Sequence, residues 1–231
     1  MFKQLSFSEI IPDYKHSHAY LWSENALLQY HLLNLGKTTE EKFIYIWGAG
    51  GCGKSHLLQT IATDFAAEKP SIFLPLHMAE SISPYCLENL ELQNIVAIDD
   101  IHLIRHQKEW EEGIFHLFNR IRDKKDTLLV ISGTLPPAQL GLKLPDLVSR
   151  LQWGLCWQLK EPSDEEKTSI LIEVANRKGF ELPISVAQYL LSHYERNLSS
   201  LMKIIDDLDI GSLEAQRRII SIPFVKKCLE N

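Results

Sequence analysis

The sequence lacks long hydrophobic runs, clustered cysteines and paired metal-binding histidines. No apolar run approaches the ~20 residues of a membrane-spanning helix, and the first residues lack the hydrophobic core of a signal peptide. The 9 histidines show no H-E-x-x-H pairing, and the 4 cysteines lie far apart. We therefore expect a cytoplasmic protein with reduced thiols, no membrane association and no histidine or cysteine metal site.

Basic charge is also scarce. The 231 residues include 24 Lys and Arg against 30 Asp and Glu, which gives a formal net charge of -6. A broad surface that neutralises phosphates needs an excess of basic residues, so strong direct DNA binding is not expected. A chain of this length, 45% hydrophobic and 23% charged, is long enough for one α/β domain and a small helical one.

The strongest signal that is present is a glycine-rich loop between a strand pattern and a helix pattern. Residues 43–47 are β-branched and aromatic, and apolar residues recur at helical spacing over 57–65. Such a loop turns successive N–H groups toward one anion, at the positive end of a helix dipole. The predicted phosphate-binding loop consists of Gly48, Ala49, Gly50, Gly51, Cys52, Gly53, Lys54 and Ser55. Lys54 would neutralise phosphate charge and Ser55 would bind Mg²⁺, so the pattern predicts a nucleotide, ATP or ADP, with Mg²⁺.

A second signal is an apolar strand that ends in two carboxylates. The run over 95–98 is followed by Asp99 and Asp100. Paired aspartates at a strand end more often belong to a turn or a helix cap, but the phosphate-binding loop earlier in the chain favours a nucleotide site. In that interpretation Asp99 would hold Mg²⁺ through water or Ser55, and Asp100 would orient the attacking water.

The remaining pattern predicts an α/β fold followed by helices. A helix is expected over 26–35, strands over 43–47, 71–76, 95–98, 127–132 and 156–159, and a helix around 110–121, so the sheet should be parallel with both faces covered. From Ser163 onward strand patterns disappear, and the residues from Ser163 to Glu166 match the sequence pattern of a capping box. The predicted domains are a tail over 1–14, a nucleotide-binding α/β subdomain over 15–161 and a helical lid over 162–231, hinged near 160–162.

Together these motifs resemble a known family. With the phosphate-binding loop, the runs IDDI over 98–101 and LVSRLQWG over 147–154 are similar to the AAA+ ATPase core of the bacterial replication initiator DnaA. The runs PDLVSRL over 145–151, GFELP over 179–183 and IPFVK over 222–226 resemble more closely the DnaA-homologous regulators of the Hda group. The resemblance extends over nearly the whole chain and implies a P-loop AAA+ parallel sheet flanked by helices, with a small C-terminal helical lid.

The resemblance implies a role for three further residues. Arg150 takes the position of an arginine finger that enters the nucleotide site of a neighbouring subunit, although an arginine at a helix end is otherwise a common salt-bridge partner. Thr134 takes the position of sensor 1, where the family usually has an acidic residue. Ser199 takes the position of the sensor 2 arginine, and a serine supplies no charged group. Arg196 would replace that arginine only in part, so weak intrinsic ATP hydrolysis is expected.

Two more sites are implied near the start of the chain. Gln4, Leu5 and Phe7 resemble the short peptide by which many bacterial proteins bind the β sliding clamp, and packing of Leu5 and Phe7 onto the domain is the alternative. Asn25 precedes the first helix, in the region that helps enclose the adenine in the family, where core packing is again the alternative.

The resulting hypothesis is a regulator of replication initiation. Such a protein would bind ADP or ATP, attach to the DNA-loaded sliding clamp, present Arg150 to ATP-bound DnaA and so inactivate the initiator, and it could form a homodimer. Its own catalysis would be secondary. Two other functions stay open: a free-standing ATPase that remodels proteins or loads a helicase, and a scaffold in which the nucleotide is only structural.

Overall fold

The core is a five-stranded parallel sheet. The computed structural model describes residues 25–33, 42–64, 70–124 and 126–229. Its strands are β1 (Phe43–Trp47), β2 (Ser71–Pro75), β3 (Ile95–Asp99), β4 (Leu128–Gly133) and β5 (Leu155–Gln158). They pair in parallel in the order β2-β3-β4-β1-β5. Every residue of β3 and β4 is buried, as expected for the interior of a sheet covered on both faces.

Helices cover both faces of this sheet. Helix α1 (Ala26–Leu33) and α2 (Lys54–Asp64) pack on one face through Leu28, Leu32, Leu57 and Ile61. On the other face lie α3 (Lys108–Lys124) and α4 (Pro145–Trp153). The helix predicted around 110–121 is part of α3, and its buried residues recur at helical spacing, namely Trp110, Ile114, Phe118 and Ile121. The predicted α/β class with a parallel sheet is confirmed.

The C-terminal helices form a layer with its own hydrophobic core. They are α5 (Asp164–Lys178), α6 (Ile184–His193), α7 (Leu198–Glu214) and α8 (Ile222–Leu229). Leu171, Leu190 and Leu201 lie at the centre of that core and are fully buried. The predicted capping box starts α5: Ser163 Oγ accepts from the Glu166 N–H, and Glu166 Oε2 accepts from the Ser163 N–H. The expected small helical lid is therefore present.

Several element ends differ from the sequence expectation by one residue. The strand expected over 71–76 ends at Pro75, because Leu76 begins a turn of 3-10 helix. The strand expected from Thr127 begins at Leu128, because the Thr127 hydroxyl donates to the Gln93 carbonyl beside it. The strand expected over 156–159 spans Leu155–Gln158. Within the described ranges, every helix is too short or too polar to cross a lipid bilayer.

The predicted tail over 1–14, with Gln4, Leu5 and Phe7, lies outside the described residues, as does the end of the helix expected over 26–35. Helix α1 is described as far as Leu33. The proposed clamp-binding peptide therefore stays a prediction from the sequence.

Candidate nucleotide-binding site

The predicted loop joins the carboxyl end of β1 to the first residue of α2. Gly51 and Gly53 have φ of 76° and 96°, a left-handed backbone that glycine adopts without steric cost. The loop also lies against the lid, since a Cβ at Gly51 would be 3.0 Å from the Cβ of Asn197, the residue that caps α7. At the back of the loop Cys52 is buried, and burial raises the pKa of its thiol.

Lys54 is held beneath this loop. Its Nζ donates to the Gly48 carbonyl at 3.0 Å and to the Ala49 carbonyl at 2.8 Å, and the residue is only 5% exposed. Among the described residues no carboxylate forms an ion pair with it. The hydrogen-bond partners of this buried ammonium, two carbonyls and Cys52 Sγ at 4.0 Å, are uncharged, and the carboxylate of Asp99 acts on it only at longer range. The residues therefore fit an anionic group such as a phosphate.

Asp99 ends β3 below the loop and is 3% exposed. The Ser132 hydroxyl donates to Asp99 Oδ1 at 2.5 Å, and Ser55 forms a further hydrogen bond with the same carboxylate. Burial raises the pKa of Asp99 and the charge of Asp100 adds to this effect, whereas the two serines and Lys54 oppose it. A nearby cation would offset the cost of burying this carboxylate.

Ser55 and Asp99 thus present adjacent oxygen ligands of the kind that Mg²⁺ prefers. The described residues contain no cluster of three or more histidine, cysteine, aspartate or glutamate side chains that could hold a metal by themselves. Mg²⁺ in nucleotide sites is bound by one or two protein oxygens together with substrate phosphates, so the pair fits that kind of site.

Asp100 and His102 lie side by side after β3. Asp100 has a left-handed backbone with φ of 59°, and its N–H donates to Ser132 Oγ at 2.8 Å. The Asp100 carboxylate lies 3.7 Å from His102 Nδ1. Burial lowers the pKa of His102 although Asp100 acts in the opposite direction. His102 was missed by sequence analysis, because only the turn at Asp100 directs it to the site.

A cavity of about 580 Å³ separates the loop from the lid. Of the residues predicted from sequence, those that line it are Gly50, Gly51, Gly53, Lys54, Ser55, Asp100, Thr134 and Ser199. Thr134 follows β4 and Ser199 lies on α7, so the structure brings together side chains from four separate parts of the chain. His102 and Lys203, which the sequence analysis did not name, line the same cavity.

Lys203 is the basic residue among the lid side chains that line this cavity. It lies four positions after Ser199 on α7, so the two share one face of the helix. The predicted partial substitute, Arg196, is directed elsewhere: its guanidinium lies 3.5 Å from Asp164 and donates to the Leu191 carbonyl at 3.2 Å. The i, i+4 spacing is the sequence signal that would have indicated Lys203.

Asn25 is 4% exposed and lies apart from the cavity lining. Its Oδ1 accepts from the Lys160 N–H at 3.3 Å, which connects the start of α1 to the segment that follows β5. This hydrogen bond agrees with the packing alternative, and a contact with adenine stays a prediction.

Arg150 lies in the last turn of α4 and is also absent from the cavity lining. Its guanidinium carbon is 4.9 Å from the ring centre of Trp153 and 5.7 Å from that of Phe118. In the part of the chain that the structure describes, no carboxylate lies within ion-pair distance of Arg150. Arg150 therefore has no salt-bridge partner in that part of the chain, as the alternative interpretation would require.

Comparisons with known proteins agree with this architecture. Residues 23–158 match the family model of the bacterial DnaA ATPase domain, and residues 164–229 match that of the Hda lid domain. An uncharacterized protein of Haemophilus influenzae is 41% identical over 206 residues, which is 89% of either chain.

Solved structures show the same fold at lower identity. Domain III of the replication initiation protein DnaA from Thermotoga maritima has a TM-score of 0.78 and 21% identity, and the match covers 95% of this chain and 97% of that one. AMPPCP-bound DnaA from Aquifex aeolicus has a TM-score of 0.63 and 20% identity, with 82% and 61% covered. A Thermotoga maritima RuvB mutant has a TM-score of 0.67 and 18% identity, with 94% and 71% covered.

Proposed function

The chain belongs to the family of DnaA-homologous AAA+ proteins that includes Hda, and we propose that it is a nucleotide-binding regulator of chromosomal replication initiation. In this proposal it promotes hydrolysis of the ATP bound to DnaA and so inactivates the initiator. DnaA is its protein partner, and the protein acts on the nucleotide of that partner more than on its own.

The placement of Arg150 supports this proposal most directly. The side chain lies at the end of α4, outside the cavity that its own chain forms, and within the described ranges its neighbours are aromatic rings and not a carboxylate. A guanidinium in that position is available to the nucleotide of an adjacent subunit. There it would stabilise the charge that develops on the γ-phosphate during hydrolysis, an effect worth orders of magnitude in rate.

The protein's own ligand in this proposal is an adenine nucleotide, ADP or ATP. One of the solved relatives, DnaA of Aquifex aeolicus, is bound to AMPPCP. Here Lys54 and the N-terminus of α2 would receive the phosphates, and Ser55 with Asp99 would hold Mg²⁺. When bound, Mg²⁺ neutralises phosphate charge. The nucleotide would then contact both the loop and α7 and fix the lid on the sheet domain.

The sliding clamp is the second proposed partner. Gln4, Leu5 and Phe7 provide a polar anchor and two apolar side chains of the kind that insert into a hydrophobic groove. Attachment to a DNA-loaded clamp would raise the local concentration of Arg150 near DnaA without any DNA contact of its own. The formal charge of -6 agrees with binding through a protein and not through phosphates.

The deciding experiment is single-turnover hydrolysis of ATP preloaded on DnaA, in the presence of clamp loaded on DNA. The ADP form of this protein should accelerate the reaction, and Arg150→Ala should remove the acceleration while nucleotide affinity stays unchanged. Arg122→Ala is the matched control, since Arg122 also lies near Trp153, at 5.9 Å. Equal acceleration by wild type and Arg150→Ala would refute the proposed role.

A free-standing ATPase is the second candidate, and one observation favours it. Asp100, Thr134 and Lys203 line the same cavity as Lys54, so a water-orienting carboxylate, a polar group and a lid cation all face the predicted phosphates. Steady-state ATP turnover by the chain alone distinguishes the candidates. Rapid turnover without DnaA would favour the ATPase, and nucleotide binding with neither activity would favour the scaffold.

A further inference from the structure

Trp153 contacts Arg150 from the same helix turn, three positions later. The guanidinium carbon of Arg150 lies 4.9 Å from the indole centre, within the range of a cation–π interaction. Trp153 is 55% exposed, although tryptophan residues usually bury most of their surface. Arg150, the residue on which the proposed function depends, therefore lies over the face of this exposed ring.

The position of the Trp153 ring is set by a column of aromatic rings. Phe118 is 1% exposed and stacks on Phe43 with ring centres 3.8 Å apart and an interplanar angle of 17°. The Trp153 ring is stacked at the outer end of this column, 6.1 Å from Phe118 at an angle of 25°. Because Phe118 is fixed in the core, the outer ring is anchored and can in turn orient a guanidinium.

A second guanidinium near the same indole behaves differently. Arg122 lies 5.9 Å from the Trp153 ring centre and is also within ion-pair distance of Asp123, at 3.4 Å. Arg150 has no such carboxylate among the described residues. The indole therefore constrains one arginine whose charge is compensated locally and one whose charge remains available to a ligand.

We propose that Trp153 is a positioning residue for Arg150: its ring face holds the guanidinium in the orientation in which it reaches the nucleotide of the neighbouring subunit. This inference rests on the proposed function. A free arginine side chain has many rotamers, and restricting them before the subunits meet lowers the entropy lost when the transition state is contacted. The ring also leaves the positive charge of Arg150 uncompensated, whereas a carboxylate partner would neutralise the pair.

The geometry can be tested on the protein alone. In NMR spectra the side-chain protons of Arg150, assigned by their loss in Arg150→Lys, should show ring-current shifts that persist in Asp123→Asn and become much smaller in Trp153→Leu, where only the more distant Phe118 ring remains. Unshifted Arg150 resonances in the wild-type protein would overturn the inference without any reference to DnaA.

The function of the contact is tested by the stimulated hydrolysis assay, run as a titration of this protein. Trp153→Leu should lower the maximal rate about three- to tenfold and leave the half-saturating concentration unchanged, whereas Trp153→Phe should restore most of the rate. Nucleotide affinity and the thermal midpoint check that each variant is folded. A raised half-saturating concentration at full maximal rate would instead identify Trp153 as a docking residue and overturn the inference.

The same titration separates the two proposals. If Arg150→Ala abolishes stimulation but Trp153→Leu retains the full rate, the positioning role fails and the proposed function stands. If Arg150→Ala itself retains the full rate, the positioning role of Trp153 and the finger role of Arg150 both fail, whereas absence of stimulation by the wild-type protein would overturn the proposed function.

Discussion

The Ser132 hydroxyl donates a 2.5 Å hydrogen bond to Asp99 Oδ1 and so joins the ends of two neighbouring strands below the phosphate-binding loop. The Ser132 hydroxyl oxygen in turn accepts from the Asp100 N–H at 2.8 Å. One buried serine thus fixes the direction of the carboxylate predicted to hold Mg²⁺ and the backbone of the carboxylate predicted to orient water. The site is organised by a residue that would not itself contact the nucleotide.

Ser132→Ala should destabilise the protein, because Asp99 loses a donor and the Asp100 N–H loses an acceptor in the interior. The expected loss in the free energy of unfolding is about 1–3 kcal/mol, measured by urea denaturation. Ser192→Ala is the control, since that hydroxyl is exposed and donates only to the Gln188 carbonyl within its own helix. Equal, small effects of both substitutions would contradict the organising role of Ser132.

Lys54→Ala should weaken binding of a fluorescent ADP analogue by about tenfold or more, because a buried ammonium is removed from the phosphate site. Stability without nucleotide should fall little, since the hydrogen bonds lost are those to two loop carbonyls and a long contact with Cys52 Sγ. Lys108→Ala, which removes an exposed lysine paired with Glu112, is the matched control. Unchanged ADP affinity in Lys54→Ala would contradict the assignment of the loop.

Lys203→Ala should reduce affinity for AMPPCP about tenfold and affinity for ADP much less, because the lid cation would contact the terminal phosphate. Isothermal titration calorimetry with both nucleotides measures the ratio of the two affinities. Ser199→Arg should raise the preference for AMPPCP, and Lys226→Ala, on helix α8 and outside the cavity lining, should leave both affinities unchanged. An equal loss for AMPPCP and ADP would show that Lys203 does not discriminate the terminal phosphate.

Deletion of residues 1–7 should abolish clamp binding and leave nucleotide affinity intact, because the proposed peptide is separate from the nucleotide cavity in sequence. Surface plasmon resonance on immobilised clamp measures the clamp binding. Replacement of Gln4, Leu5 and Phe7 by alanine in the full-length chain controls for the loss of chain length. Retained binding in both variants would place the clamp contact elsewhere.

Glu91 and Arg120 give a pH-dependent contribution to stability. Burial alone would raise the pKa of Glu91, but the hydrogen bond and charge of Arg120, together with a backbone hydrogen bond and the charge of Lys124, hold that pKa below its ordinary value. A carboxylate with a depressed pKa stabilises the fold above its unfolded pKa, and the contribution is lost as pH falls through the folded pKa.

Glu91→Gln should therefore be less stable than wild type at neutral pH, and the difference should shrink in acid. Urea denaturation over a series of pH values measures it, with Glu88→Gln as control because Glu88 is exposed nearby. A difference between wild type and Glu91→Gln that stays constant with pH would contradict the assignment.

The sequence predicted best the residues whose position follows from local structure. Lys54 starts a helix after a glycine loop, and Asp99 ends an apolar strand, so each could be placed at the edge of the sheet before any contact was known. Ser132 could not be placed in this way, because its partner lies 33 positions away and is reached only through the pairing of β3 with β4. Within its own strand it is simply a small polar residue in an apolar run.

Helical register explains why the lid was predicted less well. Arg196 lies outside α7 and contacts Asp164, whereas Lys203 lies on the face that meets the cavity. Where α7 begins is fixed by Asn197, whose side chain accepts from the Ser200 N–H at 2.8 Å. That cap decides which cation faces the nucleotide, and a motif alignment does not contain this information. Asn25 shows the same limit, since its partner is the backbone of Lys160.

The contact between Gly51 and Asn197 gives position 51 an influence that extends well past the phosphates. A Cβ at position 51 would lie 3.0 Å from the Asn197 Cβ, so a larger side chain there would press against the start of α7. The four lid helices share one core, so they would rotate away from the sheet together. A substitution at Gly51 would thus combine two defects, a loop backbone strained at its φ of 76° and a displaced lid.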